Sequence, residues 1–137
     1  MRYLLDTNII SDARLKRSPS LMAWLSDQEV DDLGISVITI LELERGVRRE
    51  ERADPEGARP LRLWLDEDVR PLAARDPLPV DEAVATVAAG LHVPDPMPEM
   101  DALVAATAIV HGLTLVTRNT KDFERAGVAL FNPWEVD

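Results

Sequence analysis

Arg2-Tyr3-Leu4-Leu5-Asp6-Thr7-Asn8 opens the chain with an apolar run that ends on an acid, followed by two residues that favour helix caps. The run reads as a short buried strand, and Asn8 or Thr7 caps a helical turn over Ile9 to Leu15. The best strand in the chain, Leu113-Thr114-Leu115-Val116-Thr117, also ends on a polar residue. In open parallel sheets, ligands bind where strands end. Asp6 and Thr117 therefore mark one edge of a sheet as the place to look for function.

Working outward, Ser18-Pro19 fits an N-cap followed by a first helical residue, for a helix reaching about Asp27. Leu33-Gly34-Ile35-Ser36-Val37 reads as a second strand, and Thr39 starts a helix that ends in a charged stretch. Asp54-Pro55-Glu56-Gly57 breaks the chain. A helix is expected from Pro60 to Asp68 and a short strand from Val69 to Ala73. Helices follow over Glu82–Leu91 and Glu99–Val110, separated by the proline-rich loop Val93–Pro98. A helical turn over Lys121–Arg125 and a strand over Val128–Phe131 complete the pattern. Strands alternating with helices predict an α/β fold around a central, mostly parallel sheet of four or five strands, flanked by helices. No repeat or dividing linker is visible, so residues 1–137 are expected to form a single domain.

With 137 residues and 46% hydrophobic side chains, the chain can bury a real core. It has no cysteine, which excludes disulfides and zinc–thiolate sites. No apolar run is long enough for a membrane span. Asp6 stands where a signal peptide needs apolar residues, so a soluble, cytoplasmic protein is expected. The net charge of −10 argues against broad nonspecific nucleic-acid binding. The acidic excess falls mostly in residues 54–112, however, which leaves room for basic patches near Arg14-Leu15-Lys16-Arg17 and Arg45 to Arg52.

Glu42 and Asp101 fall in the first turn or so of helices, and helix starts that follow strands face the edge marked by Asp6, so the three acids are expected to converge there. Taken singly, each has an ordinary explanation. Asp6 could cap a helix, Glu42 could sit on a solvated face, and Asp101 could favour its helix dipole. Together, gathered carboxylates shift one another's pKa or hold a cation, and an all-oxygen set suits Mg²⁺ or Mn²⁺. Such ions activate water against a phosphodiester. Neither His92 nor His111 is placed for acid–base catalysis. A haloacid dehalogenase-type phosphatase needs an acid where Asn8 stands, and a receiver domain needs an acidic pair that Asp6 lacks.

Four segments occur in order: Leu4–Asn8, Thr39–Gly46, Asp101–Ala108 and Leu115–Phe123. This set resembles PIN-domain proteins of the VapC/FitB type, the ribonuclease toxins of toxin–antitoxin pairs, over essentially the whole chain to Trp134. The resemblance implies a PIN-like three-layer fold and a Mg²⁺- or Mn²⁺-dependent ribonuclease acting on RNA. It implies an acidic metal core of Asp6, Glu42 and Asp101, with Thr117 hydrogen-bonded inside it. A fourth polar position lies within Thr117–Asp122. Many members have an acid where this chain has Asn119, which makes Asp122 the candidate fourth acid. The resemblance also implies a homodimer and a VapB-like antitoxin through which alone DNA is bound. A rival reading keeps the fold but makes the chain a binding protein that acts with its antitoxin in autoregulation. The apolar residues Leu21, Trp24, Leu25, Leu61, Trp64 and Leu65 are expected to be too many for one core, leaving part of them for subunit contacts.

Overall fold

The computed structural model describes residues 1–72 and 76–135. Four parallel strands form the sheet, in the order β2-β1-β3-β4: β1 (Tyr3–Leu5), β2 (Leu33–Gly34), β3 (Thr114–Val116) and β4 (Leu130–Phe131). β1 is central, with Leu4 opposite Leu115 and Leu5 opposite Val116. All-parallel sheets are covered on both faces, which is why β1 and β3 are apolar at successive positions and not only at alternate ones.

Side chains alternate across a strand, so each pair of neighbours feeds two cores. Leu4 and Leu115 point into one, with Val84, Ala88, Ala102, Ala105, Ala106 and Phe123. This core is covered by α5 (Glu82–Leu91) and α6 (Glu99–His111), and the alanines allow the two helices to approach closely. Leu5 and Val116 point into the other core, with Ile9, Leu21, Leu43, Val47 and Leu65. That face carries α1 (Thr7–Leu15), α2 (Pro19–Ser26), α3 (Val37–Ala53) and α4 (Arg59–Leu63). The short α7 (Thr120–Phe123) links β3 to β4. Gly112 ends α6 in the left-handed region, φ 65°, a conformation that a Cβ disfavours.

Several boundaries differ from expectation for local reasons. The second strand stops at Gly34, because the Ser36 hydroxyl accepts the Ile38 N–H at 2.9 Å and caps α3, which starts at Val37, two residues before Thr39. Ile35 and Val37 pair instead with Leu78, through bonds of 2.8 and 2.9 Å. The expected strand from Val69 is not formed at Val69–Leu72, and residues 73–75 lie outside the described residues. Leu65 and Val69 are both buried four residues apart, and a π-helical stretch over Trp64–Val69 places them on one face. Ionic contacts tie this stretch to α3. Arg62 grips Glu44 through two bonds of 2.7 and 3.0 Å and also Glu51 at 2.9 Å, while Arg70 reaches Glu44 at 2.9 Å.

The six apolar residues divide between core and surface. Leu21 and Leu65 are fully buried, and Trp24, Leu25, Leu61 and Trp64 pack half-buried against the same core. Trp24 packs edge-on against Tyr3 with ring centroids 5.0 Å apart, and tilted against Phe131 at 5.3 Å. Among the described residues no helix is long and apolar enough to cross a membrane.

Candidate active site

Asp6 leaves the end of β1 and caps α1. Its Oδ1 accepts the Thr7 N–H at 2.8 Å, and its Oδ2 accepts the Thr117 hydroxyl at 2.9 Å and the Asn8 amide at 3.4 Å. Thr117 is fully buried at the end of β3 and uses all its capacity. Its single proton goes to Asp6, and its oxygen accepts the Asn8 amide at 3.2 Å and the Asn119 N–H at 3.1 Å. The Asp6 carboxylate is thereby fixed in rotation by neighbours from two adjacent strand ends.

Glu42 stands in the second turn of α3. The Thr7 hydroxyl donates to its Oε1 at 2.8 Å, and the Thr7 and Thr39 hydroxyl oxygens are 3.3 Å apart. Asp101 comes from the first turn of α6 and is half-buried. Asp6, Glu42, Asp101 and Asn119 line one open depression of about 350 Å³. Asp122 is exposed on α7 and lines an adjoining hollow together with Asn119.

The electrostatics join these acids into one group. Burial pushes the Asp6 carboxyl above its ordinary range. The bonds from Thr117 and Thr7 oppose that rise, and the charges of Glu42 and Asp122 add to it. Asp101 is pushed up to about 6, first by burial and then by the charges of Asp6, Asp122 and Glu42. A site that disfavours its own negative charge favours a cation. Asp6 and Asp101 offer carboxylate oxygen, which suits Mg²⁺ or Mn²⁺. Among the described residues no three acidic or histidine side chains form a preformed metal cage.

All six residues expected at the site lie in or around it. Asp6, Glu42, Asp101 and Asn119 share the depression, Thr117 lies beneath Asp6, and Asp122 stands at the side. The structure adds roles for Thr7, Asn8, Thr39 and Asp12. Thr7 and Asn8 read as caps in the sequence, yet they orient Glu42 and Asp6. Asp12 is a buried carboxylate bound by Arg118 at 2.8 Å. Its place on the inward face of α1, three residues from Ile9, is the one signal of this in the sequence. Of the Arg45–Arg52 run, Arg48 pairs with Glu44 at 3.4 Å, and none of the run lines the acidic depression.

The raised Asp101 has a consequence for stability. A carboxyl whose folded pKa is raised stabilises the fold relative to its ionised form below about pH 4 and loses that contribution as pH rises through about 6. In metal-free protein, Asp101→Asn should therefore raise the melting temperature at pH 7–8 and leave it unchanged below pH 4. The gain is of order 1 kcal/mol, or about 3–5 °C, after allowing for solvent screening of a half-exposed group. Melting curves across this pH range check it. A difference of the same size at pH 3.5 would mean that the effect does not come from the Asp101 charge.

Residues 3–129 match the family model described as the PIN domain. The chain belongs to the PIN domain family. It is 37% identical to Toxin FitB of Neisseria gonorrhoeae over 138 residues, covering 96% of this chain and 97% of that protein. It is 34% identical to VapC ribonuclease Y4jK of Sinorhizobium fredii over 140 residues, covering 96% and 97%. Among solved structures, FitAcB from Neisseria gonorrhoeae superposes on this PIN domain with a TM-score of 0.87 at 36% identity, covering 98% of this chain and 99% of that one. VapBC2 from Rickettsia felis, bound to a promoter DNA fragment, superposes with a TM-score of 0.74 at 25% identity, covering 96% and 98%. The α/β PIN fold and the likeness to the VapC/FitB toxin type, expected from the four segments, are thus both observed.

Proposed function

We propose that this PIN domain is the toxin of a toxin–antitoxin pair and acts as a Mg²⁺- or Mn²⁺-dependent endoribonuclease on single-stranded or looped RNA. The observation that carries the proposal is the coupled acid group, in which Asp6 and Asp101 are both raised and share one open depression with Glu42. Relatives named as a toxin and as a ribonuclease support the same reading. Asp6 and Asp101 would hold the ion, with Glu42 and Asp122 completing or orienting its shell. When bound, it supplies a Lewis acid that activates water and offsets phosphate charge. Thr117, Asn8 and the Thr7 backbone hold the Asp6 oxygens in place, and the Thr7 hydroxyl holds Glu42. Unpaired strands are the substrate class because their phosphates and unstacked bases reach an open edge that a helix would bridge.

The partner is a VapB-like antitoxin, the DNA is bound through it, and the toxin works in the cytoplasm as a homodimer. Beside the acidic depression, a groove of about 470 Å³ runs from Glu42 past Ser11 and Gly46 to Leu61 and Trp64. A segment of the antitoxin lies there and presents a basic side chain, arginine in our reading, to the carboxylates. That cation takes the place of the metal and relieves the acids' repulsion. The test is brief induction of the chain in a bacterial host, with sequencing of RNA 5′ ends. New 5′ ends at defined single-stranded sites are expected, and they should vanish when the adjacent gene's product is induced with it. An unchanged set of ends would favour the rival reading of a PIN domain that binds and regulates without cleaving.

A further inference from the structure

Arg118 follows Thr117 at the end of β3 and lines both the acidic depression and the hollow beside Asp122. Among the described residues it is the one cation lining the depression. Its position is held at four points. Its Nη1 donates to Asp12 Oδ2 at 2.8 Å, and its guanidinium lies 5.6 Å from the centre of the Trp134 ring. Its backbone N–H donates to Asn8 Oδ1 at 3.3 Å, and its carbonyl accepts the Asn132 amide at 3.4 Å. Asp12 is 7% exposed at its side chain, whereas Arg118 is 48% exposed. One partner is thus a buried anchor and the other a presented group. The second cation near Asp12, Arg17, stands at 3.9 Å and is 64% exposed.

A guanidinium has five N–H donors. Asp12 takes one, and the others have no side-chain or carbonyl partner among the described residues. A chain of net charge −10 with four coupled acids at its site repels a phosphate strand, so a fixed local cation is needed to bring one in. Arginine supplies a fork that matches two phosphate oxygens, and stacking on an aromatic ring restricts that fork without consuming its edge donors.

We propose that Arg118 grips a phosphate of the RNA strand at the rim of the acidic site, and that Asp12 is its positioning residue. The inference rests on the ribonuclease reading above and adds the residue through which that site engages its substrate. A structural strut from α1 to the β3–α7 loop would use the same Asp12 contact, but it would not need a half-exposed guanidinium lining the depression.

The test measures binding of a labelled single-stranded RNA oligonucleotide in the Asp6→Asn background, which keeps the strand intact, across a range of salt concentrations. Arg118→Ala should weaken binding roughly 10- to 100-fold, as loss of a charge-assisted contact does. It should also reduce the salt slope by about 0.7, as loss of one phosphate contact on a single strand does. Arg118→Lys keeps the charge and the Asp12 pairing, so it folds, and its affinity should fall in between. Asp12→Asn should weaken binding alone but add nothing to Arg118→Ala, the signature of a residue acting through another. Unchanged affinity and slope in Arg118→Lys and Arg118→Ala, or no binding by the Asp6→Asn parent, would overturn the inference. Cleavage by the otherwise wild-type chain is measured in parallel. Arg118-dependent binding without any cleavage would remove the ribonuclease reading and leave this inference standing. Cleavage with Arg118-indifferent binding would do the reverse.

Discussion

Asp6→Asn is expected to lower RNA cleavage by more than about 100-fold, beyond the 10- to 100-fold that outer-shell partners of a metal site contribute. The Asp6 carboxylate is the most constrained oxygen donor of the site, with Thr7, Thr117 and Asn8 all donating to it. An amide keeps the shape and removes the charge. The fold should survive, since the substitution also removes a buried charge that its surroundings disfavour. The gain will be small. All three neighbours donate to the carboxylate, so whichever way the amide turns its nitrogen meets a donor, the Thr7 N–H on one side or Thr117 and Asn8 on the other, and at least one bond must be given up. A melting temperature within a few degrees of wild type, with cleavage lost, is the expected pair of results. Unfolding of Asp6→Asn would instead make Asp6 a structural cap.

Phe123→Ala should produce the largest loss of stability, about 3–5 kcal/mol. Phe123 is 1% exposed and fills the core between α6 and the sheet, against Leu115 and the small alanines of α6. Those alanines have no side chain with which to close the cavity. The same ring pins α7, so the substitution loosens the turn that carries Asn119 and Asp122. In urea, the midpoint should fall at unchanged slope, and the melting temperature should drop by about 10–15 °C. A loss below about 1 kcal/mol would mean that α7 is held by something other than this ring.

What is legible in the sequence follows from where each piece of information resides. Leu4-Leu5-Asp6 reads as a central strand ending at a site, because an apolar run closed by an acid is a local pattern. Glu42 and Asp101 stand out as acids near helix starts; α3 follows β2 and α6 leads into β3, and in a parallel sheet both kinds of helix begin at the edge where the strands end. The pairing of Asp12 with Arg118 is not legible, because the two are 106 residues apart and either alone resembles a solvated charge. Val69 reads as strand because a β-branched residue before a turn suits either state. Burial of Leu65 and Val69 on one helical face decides it for the helix. The burial of Leu21 and Leu65 escapes the sequence for the same kind of reason, since apolar residues on a helix do not say how much of them the neighbouring layer covers.

Analysis of the termini left on a labelled single-stranded RNA by the purified chain, with Mn²⁺ and with EDTA, tests the central claim most directly. Hydrolysis at phosphorus with departure of the 3′ oxygen leaves a 5′ phosphate and a 3′ hydroxyl. Those ends are expected with Mn²⁺, and no cleavage is expected in EDTA. Ends bearing 2′,3′-cyclic phosphate, or full activity in EDTA, would contradict a metal-dependent hydrolysis at Asp6 and Asp101.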